Sequence, residues 1–166
     1  MKKMFVSALA LLGFAINSNA QATAQASATA TIVTPISIAK VVDMNFGNIA
    51  VTSSGGTVIL STAGARSTTG GVTLPAVTGT VTAASFTVSG TANYAYNVTL
   101  PSSATLSNGG NSMTADVFTS NPSGSNGALS AGGTQTLAVG STLHVSAAQP
   151  AGVYTCSSFD VTVNYN

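Results

Sequence analysis

From residue 22 the even-numbered positions carry a long apolar series: Ala22, Ala24, Ala26, Ala28 and Ala30, then Ile32, Ile36, Ile38, Val42, Met44 and Phe46. The odd positions of its early part are Thr, Gln or Ser. A period of two is the mark of a half-buried strand. The same alternation returns in the last residues, with Phe159, Val161, Val163 and Tyr165 on one face and Asp160, Thr162 and Asn164 on the other. A domain that ends with this strand has no loop or helix to cover its outer edge. The unpaired N–H and C=O groups there are a template for pairing with another chain. A bare edge and a spare alternating segment predict a subunit that joins its copies by strand exchange.

Between these ends, short β segments alternate with Gly, Ser, Asn and Pro clusters, and no helical period emerges. A turn is expected at Ser53–Gly56, a short strand at Thr57–Ser61 and a polar loop at Ala63–Gly71 holding Arg66. Apolar positions then recur at Val72, Leu74 and Ala76; at Ala84, Phe86 and Val88; and at Tyr94, Tyr96, Val98 and Leu100. Met113, Ala115 and Val117 follow, then a loop over Thr119–Gly127. Leu137, Val139, Leu143 and Val145 form the next strand, with a bulge expected at Gly140-Ser141, and Pro150-Ala151-Gly152 turns the chain into the last one. Seven or more short strands at such spacing read as an all-β, antiparallel β-sandwich. Tyr154 is even-numbered and Phe159 odd, so a one-residue bulge at Cys156–Ser158 is expected to bring both to the core face.

Residues 1–20 change the picture of where the chain works. Lys2 and Lys3, the apolar run Met4–Ile16 and the small residues before Gln21 form a signal peptide, too short for a transmembrane anchor. The expected organisation is a signal peptide over 1–20, an N-terminal extension over 21–34 and one domain over 35–166. Beyond residue 20 only Lys40 and Arg66 stand against Asp43, Asp116 and Asp160, a net charge of −1. Nothing there favours nucleic acid or anionic lipid.

The chemistry is equally sparse. Catalysis by acid, base or nucleophile would have to come from His144, three Asp, Cys156, one Lys and one Arg. No metal-ligand spacing exists, and the glycine pairs lack a strand–loop–helix context for phosphate. No catalytic, cofactor-binding or metal-binding set is expected, and the chain does not read as an enzyme. Cys156, the sole cysteine, cannot close an internal bridge and reads as a strand residue. Tyr94, Tyr96 and the Phe118–Pro122 loop read as packing aromatics, with an exposed contact site as the alternative.

The terminal strand carries a resemblance. Tyr165 is penultimate and Gly152 lies fourteen positions before the end, as in chaperone–usher pilins, which tend to end in an amphipathic strand with these two features. The chain also looks like a group of exported bacterial domains of unknown function related to such pilins. The segments carrying this are Phe46-Gly47-Asn48-Ile49, Gly70-Gly71-Val72-Thr73-Leu74, Ala84–Gly90, Tyr96–Pro101 and Val139–Leu143, with Gln149–Tyr154 and the last strand. The resemblance implies an immunoglobulin-like sandwich with an incomplete, open-edged sheet. It also implies export through the periplasm to the cell surface, a homopolymer, and a periplasmic chaperone and outer-membrane usher as partners. The acceptor side would be Gly152, Phe159, Val161, Val163 and Tyr165. The donor, within Gln21 to about Thr34, would present Ala24, Ala26, Ala28, Ala30 and Ile32.

The donor's alanines set a condition. Five methyls at about 0.8 kcal/mol each contribute roughly 4 kcal/mol, against about 6–12 for four Val or Ile side chains. Such a donor needs a narrow groove or anchoring by Ile32. Without either, residues 21–31 are a spacer. The expected function is therefore a structural subunit of a surface fibre. The alternative is a free-standing exported binding module whose own N-terminal strand completes its sandwich.

Overall fold

A computed structural model describes residues 21–166, so the signal peptide expected over 1–20 lies outside the described residues. The chain divides after Ile32. Residues 21–32 belong to no strand and are exposed throughout. The expected alternation becomes a strand only from Ser37, because periodicity states which face a strand would bury and does not supply a partner.

The second unit, residues 33–166, is all-β and antiparallel. Its strands are β1 (Ser37–Val42), β2 (Ala50–Leu60), β3 (Arg66–Thr73), β4 (Ala84–Ser89) and β5 (Ala95–Thr99). They continue as β6 (Ser103–Asn108), β7 (Asn111–Asn121), β8 (Gly127–Ala128), β9 (Thr134–Val145) and β10 (Thr162–Tyr165). One sheet runs β1-β4-β9-β2-β3, with β7 also on β9 and β6 on β7, and a smaller sheet runs β10-β5-β8. Neither closes on itself, which fits a β-sandwich with open sheets.

Strand β9 organises the larger sheet. Its first half pairs with β4, its second half with β2, and β7 lies along the opposite edge. Leu137, Val139, Leu143 and Val145 all face inward as their odd parity requires. Ser141 shares that parity and is buried, its hydroxyl set against the Met44 sulfur at 3.1 Å. The apolar side chains gather in two clusters. One contains Phe46, Val58, Leu60, Val72, Leu143 and Val145; the other contains Val88, Tyr96, Leu129, Leu137, Val139 and Val163.

Several expected elements are corrected. The polar loop at Ala63–Gly71 is mostly β3, which pairs with β2 through Thr57–Thr69 and its neighbours. The true turn is Ser61–Ala65, and the Ser53–Gly56 stretch lies inside β2 as an irregularity between Val51 and Gly56. Thr- and Gly-rich segments look like loops from composition, yet this one is an edge strand with no apolar face to declare it. The bulge expected in β9 falls instead on β7, between Asp116 and Thr119 opposite Gly140. There Val117 takes a positive φ of 46° and is 65% exposed. Phe118 turns inward in its place, so Val117 does not share the face of Met113 and Ala115. Strand β6 has only Ala104 and Leu106 to mark it and was not anticipated.

Candidate functional site

The last strand is shorter than expected. The ladder holds only Thr162–Tyr165, and the one-residue bulge expected at Cys156–Ser158 is a longer interruption from Cys156 to Val161. Phe159 packs on the core, but Tyr154 joins neither apolar cluster: it lines the open groove with its hydroxyl donating to the Pro150 carbonyl at 2.9 Å, so the expectation of a core-facing pair holds for Phe159 alone. Between Pro150 and Val161, only Thr155 exchanges backbone hydrogen bonds with another strand, through Ser107 at 2.8 and 3.0 Å, among the described residues. Among the described residues, strand β10 pairs only with β5 and β1 only with β4. Two free edges therefore flank the same side of the sandwich, a geometry that suits an added strand.

Beside β1, and short of β10, lies an open groove of about 900 Å³. One wall is the chain from Lys40 to Val51 and the other runs from Gln149 to Phe159. Its floor is the core itself: Phe46, Leu106, Met113, Ala115, Leu143 and Val145. Phe118 and Phe159 pack at 5.2 Å where the two clusters meet.

The first wall is held in place by Arg66, the one arginine of the sequence. The Arg66 guanidinium donates to the Phe46 carbonyl and to the Asn48 carbonyl, the latter at 2.9 Å. Between them Gly47 sits at φ +68°, where an added Cβ would lie 2.4 Å from the Thr78 carbonyl oxygen. The Asn45 side chain accepts from the Gly47 amide at 2.8 Å, and the Asn48 amide donates to Thr78 at 2.7 Å. A guanidinium makes strong, directional bonds to such carbonyls, so this wall has a fixed shape. The Lys40–Asp43 pair on the same wall spans 2.7 Å but is largely exposed and contributes little.

At its other end the cleft is shut. The Tyr165 hydroxyl donates to the Thr34 carbonyl at 2.8 Å and accepts from the Thr91 amide at 2.6 Å. The Thr34 amide in turn donates to the Thr91 hydroxyl at 2.9 Å. Gly90 makes this clasp possible, since a Cβ there would stand 2.1 Å from the Tyr165 hydroxyl. Ile36 and Ile38 of the β1 side pack on the same cluster as Val161, Val163 and Tyr165.

The expected acceptor residues thus divide. Phe159 and Gly152 line the open groove, Val161 and Val163 belong to the closed cluster, and Tyr165 forms the clasp. On the donor side, Ala24, Ala26, Ala28, Ala30 and Ile32 are exposed, Ile32 at 98%. The groove's arginine-held wall and the clasp were not read from the sequence. In sequence Phe46-Gly47-Asn48 reads as a strand end or bulge, and nothing in the chain relates Thr34 and Thr91 to Tyr165 across such separations.

The domain belongs to a family without an assigned role. The chain is a member of the family described as Domain of unknown function (DUF4402), whose model matches residues 36–165. The match spans both groove walls, the clasp residues Thr91 and Tyr165, and every strand. No curated protein and no solved structure matches the chain.

Other chemistry is thin. Among the described residues, no three His, Cys, Asp or Glu side chains gather as a metal site. His144, which its polar parity makes a surface histidine, meets Asp116 at 2.7 Å across β9 and β7. They lie on the face opposite Leu143 and Val145, away from the groove, with the imidazole half exposed. Tyr96 is fully buried, as its reading as a packing aromatic expects, its hydroxyl donating to Gln135 at 2.7 Å. Tyr94 is 42% exposed and packs edge-on against Tyr165. Cys156 is half-buried on the groove wall, its sulfur 3.1 Å from the Ser158 carbonyl.

Proposed function

We propose that this protein is a structural subunit of a bacterial surface fibre. It is exported through the periplasm and polymerises when residues 21–32 of one copy enter the groove of the next, Thr34 staying in the clasp of its own domain. The observation that carries this reading is the groove: an opening onto the core, flanked by β1, which has one ladder partner among the described residues, and by the chain from Pro150 to Phe159, which pairs with another strand only at Thr155. An added strand would satisfy the free backbone groups on both sides and bury the apolar floor at once, which are the two contributions that make strand addition favourable. The extension suits the role because it is uncharged, alternates in parity and is exposed. In this reading a chaperone covers the groove before assembly, an usher exports the subunit, and the protein has no catalytic role.

Deletion of residues 21–31 tests the proposal while sparing Thr34, which the clasp uses. Surface-sheared protein is compared on gels, unboiled and boiled. A ladder of unboiled multimers that collapses on boiling and disappears in the deletion is the expected outcome. A monomer band in both proteins would contradict it and leave a self-contained exported binding module.

A further inference from the structure

We infer that Met44 is a site of oxidation by peroxides, and that the Ser141 hydroxyl houses the sulfoxide oxygen so that the fold survives the change. The inference goes beyond the fibre reading and does not depend on it.

Ser141 breaks a pattern. The inward positions of β9 read Leu137, Val139, Ser141, Leu143 and Val145, so parity asks for an aliphatic side chain where the serine stands. It is the one buried polar side chain among the described residues. Its hydroxyl donates to the Met44 sulfur at 3.1 Å. A thioether is a weak acceptor, so this hydroxyl gives up its hydration for a poor bond. Alanine would occupy the position without that loss. The serine therefore does little for the reduced core.

Oxidised methionine is a better partner. Its new oxygen is bonded directly to sulfur, within reach of a hydroxyl that already stands 3.1 Å from that sulfur. In an ordinary core such an oxygen is buried without a donor, which is why methionine oxidation disrupts packing. Here the donor is in place before the oxygen arrives. Of the two methionines beyond residue 20, Met44 and Met113, both line the groove, but the buried hydroxyl stands on Met44.

The oxidant has a route. Met44 is half-buried and lines the open groove of about 900 Å³, which admits a molecule as small as hydrogen peroxide. The sulfur lone pair attacks one peroxide oxygen, and the S–O bond forms as the O–O bond breaks. The departing hydroxide takes the proton from the transferred oxygen and leaves as water. Sulfur loses two electrons and the peroxide gains them. Met44 also packs on both apolar clusters, so an unhoused oxygen at this point would disturb the two halves of the core together. The hydroxyl prevents that.

The test uses the full-length, unassembled chain carrying Met113→Leu and Cys156→Ser, which leaves Met44 as the one sulfur beyond residue 20. The protein is treated with hydrogen peroxide, mapped by peptide mass, and unfolded by heat beside untreated protein. Met44 should gain one oxygen in the folded state with little change in the unfolding midpoint. Adding Ser141→Ala should leave the untreated protein at least as stable. The same substitution should lower the midpoint of the oxidised protein by about 3–10 °C, because the sulfoxide then lacks its donor. Met44→Leu should abolish every response to peroxide. Equal losses on oxidation with and without Ser141→Ala would overturn the inference. So would a Met44 that stays unoxidised while free methionine in the same solution is consumed. A Ser141→Ala chain that fails to fold before treatment would overturn it as well, since the hydroxyl would then be holding the reduced core.

Discussion

Leu137 and Leu106 are the same residue in two kinds of core. Leu137 belongs with Tyr96 and Val163 to a cluster whose boundary is completed by the Tyr165 clasp, and it is fully buried. Leu106 packs against the other cluster, but its neighbours Phe46, Met113 and Val145 form the floor of an open groove. Both clusters are held by the long strand β9, so the difference does not lie in the scaffold. It lies in what the flanking chain does. At the closed end β1 and β10 are tied together through side chains, and at the open end the chain between Cys156 and Val161 leaves the ladder. One end of this sandwich is finished by its own residues; the other is open, and in the proposed assembly an added strand finishes it.

The largest effect should separate the two leucines. Leu137→Ala is expected to cost about 2–5 kcal/mol in the stability of the unassembled chain, measured by denaturant unfolding. Leu106→Ala should cost less there and weaken assembly instead, because its full burial requires the added strand. Equal losses in the unassembled chain would erase the distinction between the two ends.

A smaller effect addresses the clasp. Gly90→Ala places a methyl against the Tyr165 hydroxyl and should cost about 1–3 kcal/mol through overpacking. Tyr165→Phe keeps the ring on Tyr94 but removes both hydroxyl bonds, for a loss of about 1–2 kcal/mol by the same unfolding measurement. If Tyr165→Phe is neutral while Gly90→Ala is destabilising, the closed end is held by packing and the hydroxyl bridge is incidental.

The smallest effect needs no substitution at neutral pH. Burial raises the Tyr96 hydroxyl above its ordinary pKa. The unfolded chain releases this proton near pH 10 while the folded chain retains it, so the unfolded state binds fewer protons there. The stabilisation is complete below pH 10 and is lost as pH rises through the folded value. Tyr96→Phe should flatten that alkaline fall in stability, and an unchanged slope would assign it to other groups.

How much of this could be read along the chain follows from the same contrast. The apolar parity of β4, β5 and β9 was legible because those strands bury one face continuously. Strand β3 was hidden because an edge strand of Arg, Ser, Thr and Gly with Val72 as its one apolar residue has no apolar stripe. Val117 misled because a bulge reverses parity from the next residue onward, and parity carries no warning of a bulge. The acceptor residues were half legible: alternation identifies Phe159, Val161, Val163 and Tyr165 as core-facing, but only the backbone shows which of them face an opening. Hydrogen bonds such as those joining Thr34, Thr91 and Tyr165 leave no local pattern in sequence.

The central claim is that the open end is completed by a strand from another copy. Hydrogen exchange at individual amides, compared between assembled wild type and the 21–31 deletion, tests it most directly. Assembly should slow exchange along the free edge of β1 and from Gly152 to Val161, while the outer edge of β3 exchanges equally in both. Equal rates at the groove flanks in the two proteins would contradict the account.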